Sequence, residues 1–292
     1  MKTVFRQILD FLLFSNIFIA LCAVAQVMVT YQLLQAKPDK YMLGLMFCST
    51  VAMYNYSILL AKPKNPELSP FRRVRWIFSH YRITITITII CILSLIPLFL
   101  FISTASKILL FFLAFISISY NLPIFTVNDQ KFGLRNIPGI KLFLIALIWS
   151  LSCVLLPILE LESHQTIAVS AHDTILLIAK RFLFVAAITV PFDIRDLFQD
   201  KTYALKTIPV ILGERKAYFF CLLLLVIYLA LLFLFNNKID LNFIGLMFTV
   251  ILTAWLIFKS EWERNEYYYF FFLDGTLLLQ YFVLLMCNAI RF

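Results

Sequence analysis

Apolar residues in this chain come in long unbroken blocks rather than in alternation. Seven runs of 18 or more residues hold no Asp, Glu, Lys or Arg: Phe11–Ala36, Tyr41–Ala61, Ile83–Ser106, Ile108–Asn128, Leu142–Leu159, Ala217–Asn237 and Leu241–Phe258. At about 1.5 Å per residue, each is long enough to cross about 30 Å of hydrocarbon as a helix. Two further blocks are interrupted, Thr174–Phe192 by Lys180 and Arg181, and Tyr267–Ile290 by Asp274. The pattern predicts an all-α integral membrane protein of about nine transmembrane helices. Barrel strands would alternate apolar and polar residues in segments of about ten, and these blocks do not.

Composition closes off the other classes. Of the 292 residues, 62% are hydrophobic and 14% charged, whereas a soluble domain carries about 25% charged residues. One aqueous core cannot hide that excess, and disorder requires a polar chain. No soluble insertion, low-complexity tract or repeat interrupts the blocks, so residues 1–292 read as a single polytopic membrane domain. The net charge of +9 is mostly a topology signal. With the N-terminus cytoplasmic, as in a bacterial-type membrane, the loops on that side collect eighteen of the 25 bases, as positive-inside bias requires. A nucleic-acid partner would need a basic face on a soluble module, and the pattern leaves room for none. Ala23-Val24-Ala25 looks like a leader cleavage site. The apolar run continues to Ala36, however, beyond the 7–15 residues of a signal core, so it reads as a span. The six cysteines all fall inside predicted spans and read as small buried residues.

Function in such a protein is sought where polar groups crowd a membrane end or enter the bilayer. The densest place is the end of the sixth span, Pro191-Phe-Asp193-Ile-Arg195-Asp196-Leu-Phe-Gln-Asp200-Lys201. Aspartates at i, i+3 and i+7 share a stripe of about 60° if the segment is helical. Three carboxylates on one stripe repel unless cations lie between them, and Mg²⁺ favours a few carboxylates plus phosphate oxygens. Arg195, Lys201 and Lys206 are placed to bind the same phosphates. The plain alternative is a solvated helix end with local ion pairs.

The stretch from Asp193 to Asp200, followed by Lys206-Thr-Ile-Pro209 and Gly213, resembles the second aspartate-rich motif of the UbiA-type intramembrane prenyltransferases. That motif reads Asp-x-x-Asp-x-x-x-Asp, then Lys-Thr-(Ile/Leu)-Pro and Gly. The resemblance implies a helical bundle around a central cavity. In it Mg²⁺ on Asp193, Asp196 and Asp200 holds a prenyl diphosphate while the chain passes to a lipophilic acceptor, such as an aromatic quinone precursor. The family's first motif, Asn-Asp-x-x-Asp-x-x-x-Asp after the second span, is matched only by Asn55. Its three aspartates correspond to Tyr56, Leu59 and Pro63. With that cluster missing, two readings stand: a transferase of reduced or altered activity, and a non-catalytic binder of a lipid, quinone or diphosphate. A transporter would carry repeated halves or Gly/Pro-broken helices in matching positions, and six glycines without an internal repeat do not suggest one.

Three other places carry candidates. The loop 62–82 holds six bases around Trp76, Phe78 and Tyr81, which suits either a basic anchor on anionic lipid or a cover on the cavity mouth. The loop after the fourth span offers Tyr120, Lys131 and Arg135, which the resemblance implies as contacts of diphosphate or acceptor. Asp274, inside the ninth block, is expected to face the interior as a cavity or paired residue, while Lys180 and Arg181 are expected to snorkel to the far interface.

Overall fold

The computed structural model describes residues 2–122, 125–127, 130–132, 137, 139–164, 167–197, 206–236, 238–260 and 264–290. Helix α1 (Lys2–Phe14) meets α2 (Ile17–Leu33) at 61°. Asn16 makes the bend in a left-handed conformation, φ 67°, which Asn tolerates better than most side chains. The run Phe11–Ala36 is therefore divided. Its first four residues belong to α1, which leaves Val4, Phe5 and Ile8 exposed, and the buried span begins at Ile17.

Next come α3 (Lys40–Leu60), capped by Asp39, whose side chain accepts from the Met42 N–H at 2.8 Å, the short α4 (Arg72–Ser79), and α5 (Tyr81–Leu100). Then α6 (Thr104–Asn121) leads to a hairpin of β1 (Phe125–Val127) and β2 (Gln130–Phe132), paired antiparallel. The apolar run Ile108–Asn128 thus stops being helical at Asn121. Pro123 disfavours helix in the residue before it, and Leu122 is extended, φ −84° and ψ 133°.

Helix α7 (Ile140–Ser163) contains a π turn at Leu151–Leu155, and α8 (Ala171–Arg195) is capped by Ser170. A single turn, α9 (Ile208–Leu212), passes through Gly213, whose φ of 80° only glycine adopts readily, into α10 (Glu214–Asn236). The chain ends with α11 (Leu241–Phe258) and α12 (Tyr268–Ile290), which opens in a π turn.

Among the described residues, α3, α5, α7, α8, α10, α11 and α12 are long and apolar enough to cross a membrane. The bent pair α1–α2 is long enough for an eighth if its two helices are taken as one span, and the shorter α6 accounts for the remaining block. Helix α8 packs between α7 and α10, while α2 packs against α3 and α12. The outer faces of α5 and α6 leave Ile90, Leu93, Ile96, Phe111 and Phe115 exposed. Such a belt is stable in lipid and not in water, and the protein is an integral membrane protein.

Lys180 and Arg181 depart from expectation. Neither snorkels free: both are buried against neighbouring helices. The Arg181 guanidinium donates to the Gln26 carbonyl at 3.1 Å, and the Lys180 ammonium sits 3.8 Å from the Phe235 ring centroid. The cysteines are unpaired with one another, as expected, and all but Cys48 are buried.

Candidate functional site

The last turn of α8 brings Asp193 to the start of α7, where it is 1% exposed. Lys141, the second residue of α7, reaches it with Nζ 2.5 Å from Oδ1. Helix α7 begins there because Gly139 takes φ 71°. The Gly139 N–H also donates to the Lys206 carbonyl at 3.3 Å, tying the two loops together. Gly139, Lys141, Asp193, Lys206, Thr207 and Ile208 consequently line one crevice. The Lys141 ammonium and the positive end of α7 face its single carboxylate, and Lys206 stands at its edge. Thr207 adds a buried hydroxyl with no hydrogen-bond partner among the described residues.

Asp196 is engaged elsewhere. Helix α8 ends at Arg195, and Asp196 becomes its C-cap. The Asp196 carboxylate is held by its own neighbour, accepting from Arg195 Nε at 2.8 Å and Nη2 at 3.1 Å. Asp200, Lys201 and Arg135 lie outside the described residues. Lys131 stands on β2 opposite Thr126, and Tyr120 is half-buried in the last turn of α6.

Around the corner of α8 lies a second polar cluster. Asn55 is fully buried at the end of α3, and its Oδ1 accepts from Asn16 Nδ2 at 2.6 Å. Asn16 Oδ1 in turn accepts from Arg73 Nη2 at 2.5 Å. The Arg73 guanidinium packs 4.7 Å from the Phe270 ring centroid, and Arg195 approaches the same ring at 5.3 Å. Asp274, half-buried on α12, lies within electrostatic reach of both arginines.

The loop 62–82 therefore folds into the bundle. Its helix α4 is capped by Glu266, which accepts the N–H groups of Arg72 at 2.5 Å and Arg73 at 2.9 Å. Arg72 pairs with Asp10, and Trp76 stacks on His80 and meets Phe14. Burial, then the nearby Arg195, lowers the Arg73 pKa from 12.5 to about 10, against the pull of Asp274 and Glu266. Arg73 remains a cation at neutral pH. Burial pushes the Glu266 carboxyl above its usual range.

A divalent ion needs several carboxylate oxygens turned toward one point. Asp193 faces Lys141, Asp196 faces Arg195, and Asn55 has amides and a guanidinium for company. Among the described residues no group of three His, Cys, Asp or Glu side chains is arranged to hold a metal. As they stand, these residues do not fit Mg²⁺.

Sequence spacing picks out Asp193, Asp196 and Asn55 but misses what holds them. Lys141, Asn16 and Arg73 are partners from other helices. Arg73 carries a signal as one base among aromatics in the loop 62–82, and Lys141 as a base of the loop after the fourth span, but neither pairing is visible in the spacing.

No family model matches the chain, and no curated protein sequence does. Solved structures of UbiA homologues do match. A homologue from Archaeoglobus fulgidus bound to DMAPP and Mg²⁺ superposes with a TM-score of 0.65 at 13% identity, covering 96% of this chain and 98% of that one. The structure bound to GPP and Mg²⁺ gives 0.64 at 13% identity, covering 96% and 99%. The apo homologue from Aeropyrum pernix K1 gives 0.62 at 13% identity, covering 96% and 97%. The chain has the fold of these homologues along nearly its whole length.

Proposed function

We propose that this UbiA-fold chain is one membrane domain over residues 1–292. In our reading it binds a prenyl diphosphate at the end marked by Asp193 and passes the prenyl group to a lipophilic acceptor, such as an aromatic quinone precursor. The observation that carries this reading is the crevice of Gly139, Lys141, Lys206 and Thr207 beside the aspartate motif. Its setting supports the reading too, because two structures of the same fold are bound to GPP and DMAPP. On the basic-loop bias, this end and the N-terminus are cytoplasmic in a bacterial-type membrane.

In transfer, the allylic C–O bond breaks and its electron pair leaves with the pyrophosphate. The allylic carbon then bonds to the acceptor, which gives up a proton. Lys141 and Lys206 would neutralise the leaving oxygens as charge grows, and fixed charges need no reorganisation at that moment. Lys131, Arg135 and Lys201 are further candidate phosphate contacts, Asp200 is the motif's third acid, and Tyr120 is a candidate acceptor contact. A Mg²⁺ ion on Asp193, Asp196 and Asp200 would require Lys141 and Arg195 to release their partners, so no step is routed through it.

A second reading has a specific basis: the carboxylates are already held by protein cations and the Asn55 cluster lacks acids. On that reading the chain binds the diphosphate and does not turn it over.

Purified protein in nanodiscs with GPP tests the binding. Ligand stabilisation grows as RT ln(1 + [L]/Kd), about 2.7 kcal/mol at a hundredfold excess. Lys206→Gln should shrink the melting shift, and Lys238→Gln should keep it. No shift with GPP or with longer prenyl diphosphates, whether or not Mg²⁺ is added, would sink the proposal. Transfer of labelled prenyl to extracted quinone precursors separates the two readings.

A further inference from the structure

The cluster around Asn55 has a one-sided chemistry. Its buried polar atoms without a hydrogen-bond partner among the described residues are Asn55 Nδ2, Arg73 Nε, Arg195 Nη1 and the hydroxyl of Ser15. The first three can only donate, and the fourth is free to donate. Buried donors left unpaired are costly, and together they call for an acceptor.

The surrounding charges narrow the occupant. The two guanidiniums flank Phe270 at 4.7 and 5.3 Å. The Glu266 carboxylate is spent on the α4 amides, and that of Asp196 on Arg195. Glu266 and Asp274 both lie within electrostatic reach of the two arginines, but the oxygens of Glu266 and Asp196 are already taken as acceptors. A divalent cation entering here would find the Asp196 and Glu266 oxygens engaged and unpaired donors turned toward it. An oxyanion would meet planar donors suited to paired oxygens.

We propose that Arg73 and Arg195, with Asn55, form a metal-independent oxyanion clamp that takes a phosphate group of the ligand in place of a magnesium-held one. The clamp rests on the proposed function in naming a prenyl diphosphate as the anion. Asn16 positions it, because its amide fixes both Asn55 and Arg73. Helix α4 delivers Arg73 from the surface, so the clamp exists only while that helix is docked.

The test is equilibrium binding of radiolabelled GPP to the full chain in nanodiscs, with EDTA and with Mg²⁺, and with inorganic pyrophosphate as competitor. The clamp predicts that EDTA weakens binding by less than about threefold and that pyrophosphate competes. Arg73→Gln should weaken EDTA-resistant binding by about ten- to a hundredfold, the range of a lost charge-assisted hydrogen bond. Arg195→Lys keeps a cation beside Asp196 and should weaken it less. Both variants are first checked for an unchanged ligand-free melting temperature, and the EDTA arm on the native chain needs neither variant.

Binding that vanishes in EDTA and returns with Mg²⁺ would overturn the clamp and leave the proposed function standing. Binding absent under both conditions would overturn the proposed function itself. EDTA-resistant binding indifferent to both substitutions would place the anion elsewhere, and failure of pyrophosphate to compete would show that the tail alone is recognised. Either result removes the clamp.

Discussion

At the scale of single residues, the pair Lys141–Asp193 carries the sharpest energetic consequence. Their side chains are 13% and 1% exposed, so neither charge has water to fall back on. Removing one partner of a buried pair costs about 3–5 kcal/mol, while replacing both with apolar groups is often neutral. Lys141→Met should therefore lower the melting temperature sharply, and Lys141→Met with Asp193→Leu should recover most of the loss. Thermal denaturation of the two variants in detergent decides it, and a double variant no better than the single would show that the two charges are not one energetic unit. Asp193 was legible in the sequence because its spacing to Asp196, Asp200 and Lys206 is local. Its partner was not, since a contact spanning 52 residues depends on how α7 and α8 are set side by side. Asp196 is the C-cap of α8, and its carboxylate accepts from the neighbouring Arg195, a pairing that is local in sequence.

At the scale of elements, the nine apolar blocks translate into helices with few changes, since the bilayer allows little besides helix for a continuous apolar run. The departures occur where local chemistry overrides hydropathy, at Asn16 and before Pro123. The π turns of α7 and α12 leave no such mark, because an inserted residue changes backbone phase without changing residue type. Asn16 does two jobs, and substitution separates them. Asn16→Gly keeps the left-handed bend and removes the links to Asn55 and Arg73. Asn16→Ala removes the links and adds about 1–2 kcal/mol of backbone strain. The alanine variant should therefore melt below the glycine variant, with both losing EDTA-resistant GPP binding. Equal melting temperatures would mean that the bend is not under conformational stress.

At the scale of the whole molecule, α1, α4, the crevice at Asp193 and the cluster around Asn55 gather at one polar end. Impermeant thiol labelling in a cysteine-free background should reach Lys216→Cys and Ser163→Cys, both exposed positions, from opposite faces of the membrane. Labelling of both from one face would overturn the orientation. That polar end also carries a contact with a bearing on biosynthesis. Asp10 takes Arg72 on one side and the Tyr267 hydroxyl on the other, while Cys22 and Gln26 donate to the carbonyls of Asp274 and Leu277. Segments about 250 residues apart thus complete one another. Until α12 enters the bilayer, Asp10 and Gln26 lack partners they keep in the finished protein, and the nascent chain must wait with α1 and α2 unsealed. Assembly of this polar end therefore follows the synthesis of α12, and a ribosome stalled before Tyr267 holds a protein inserted in the membrane but not yet closed.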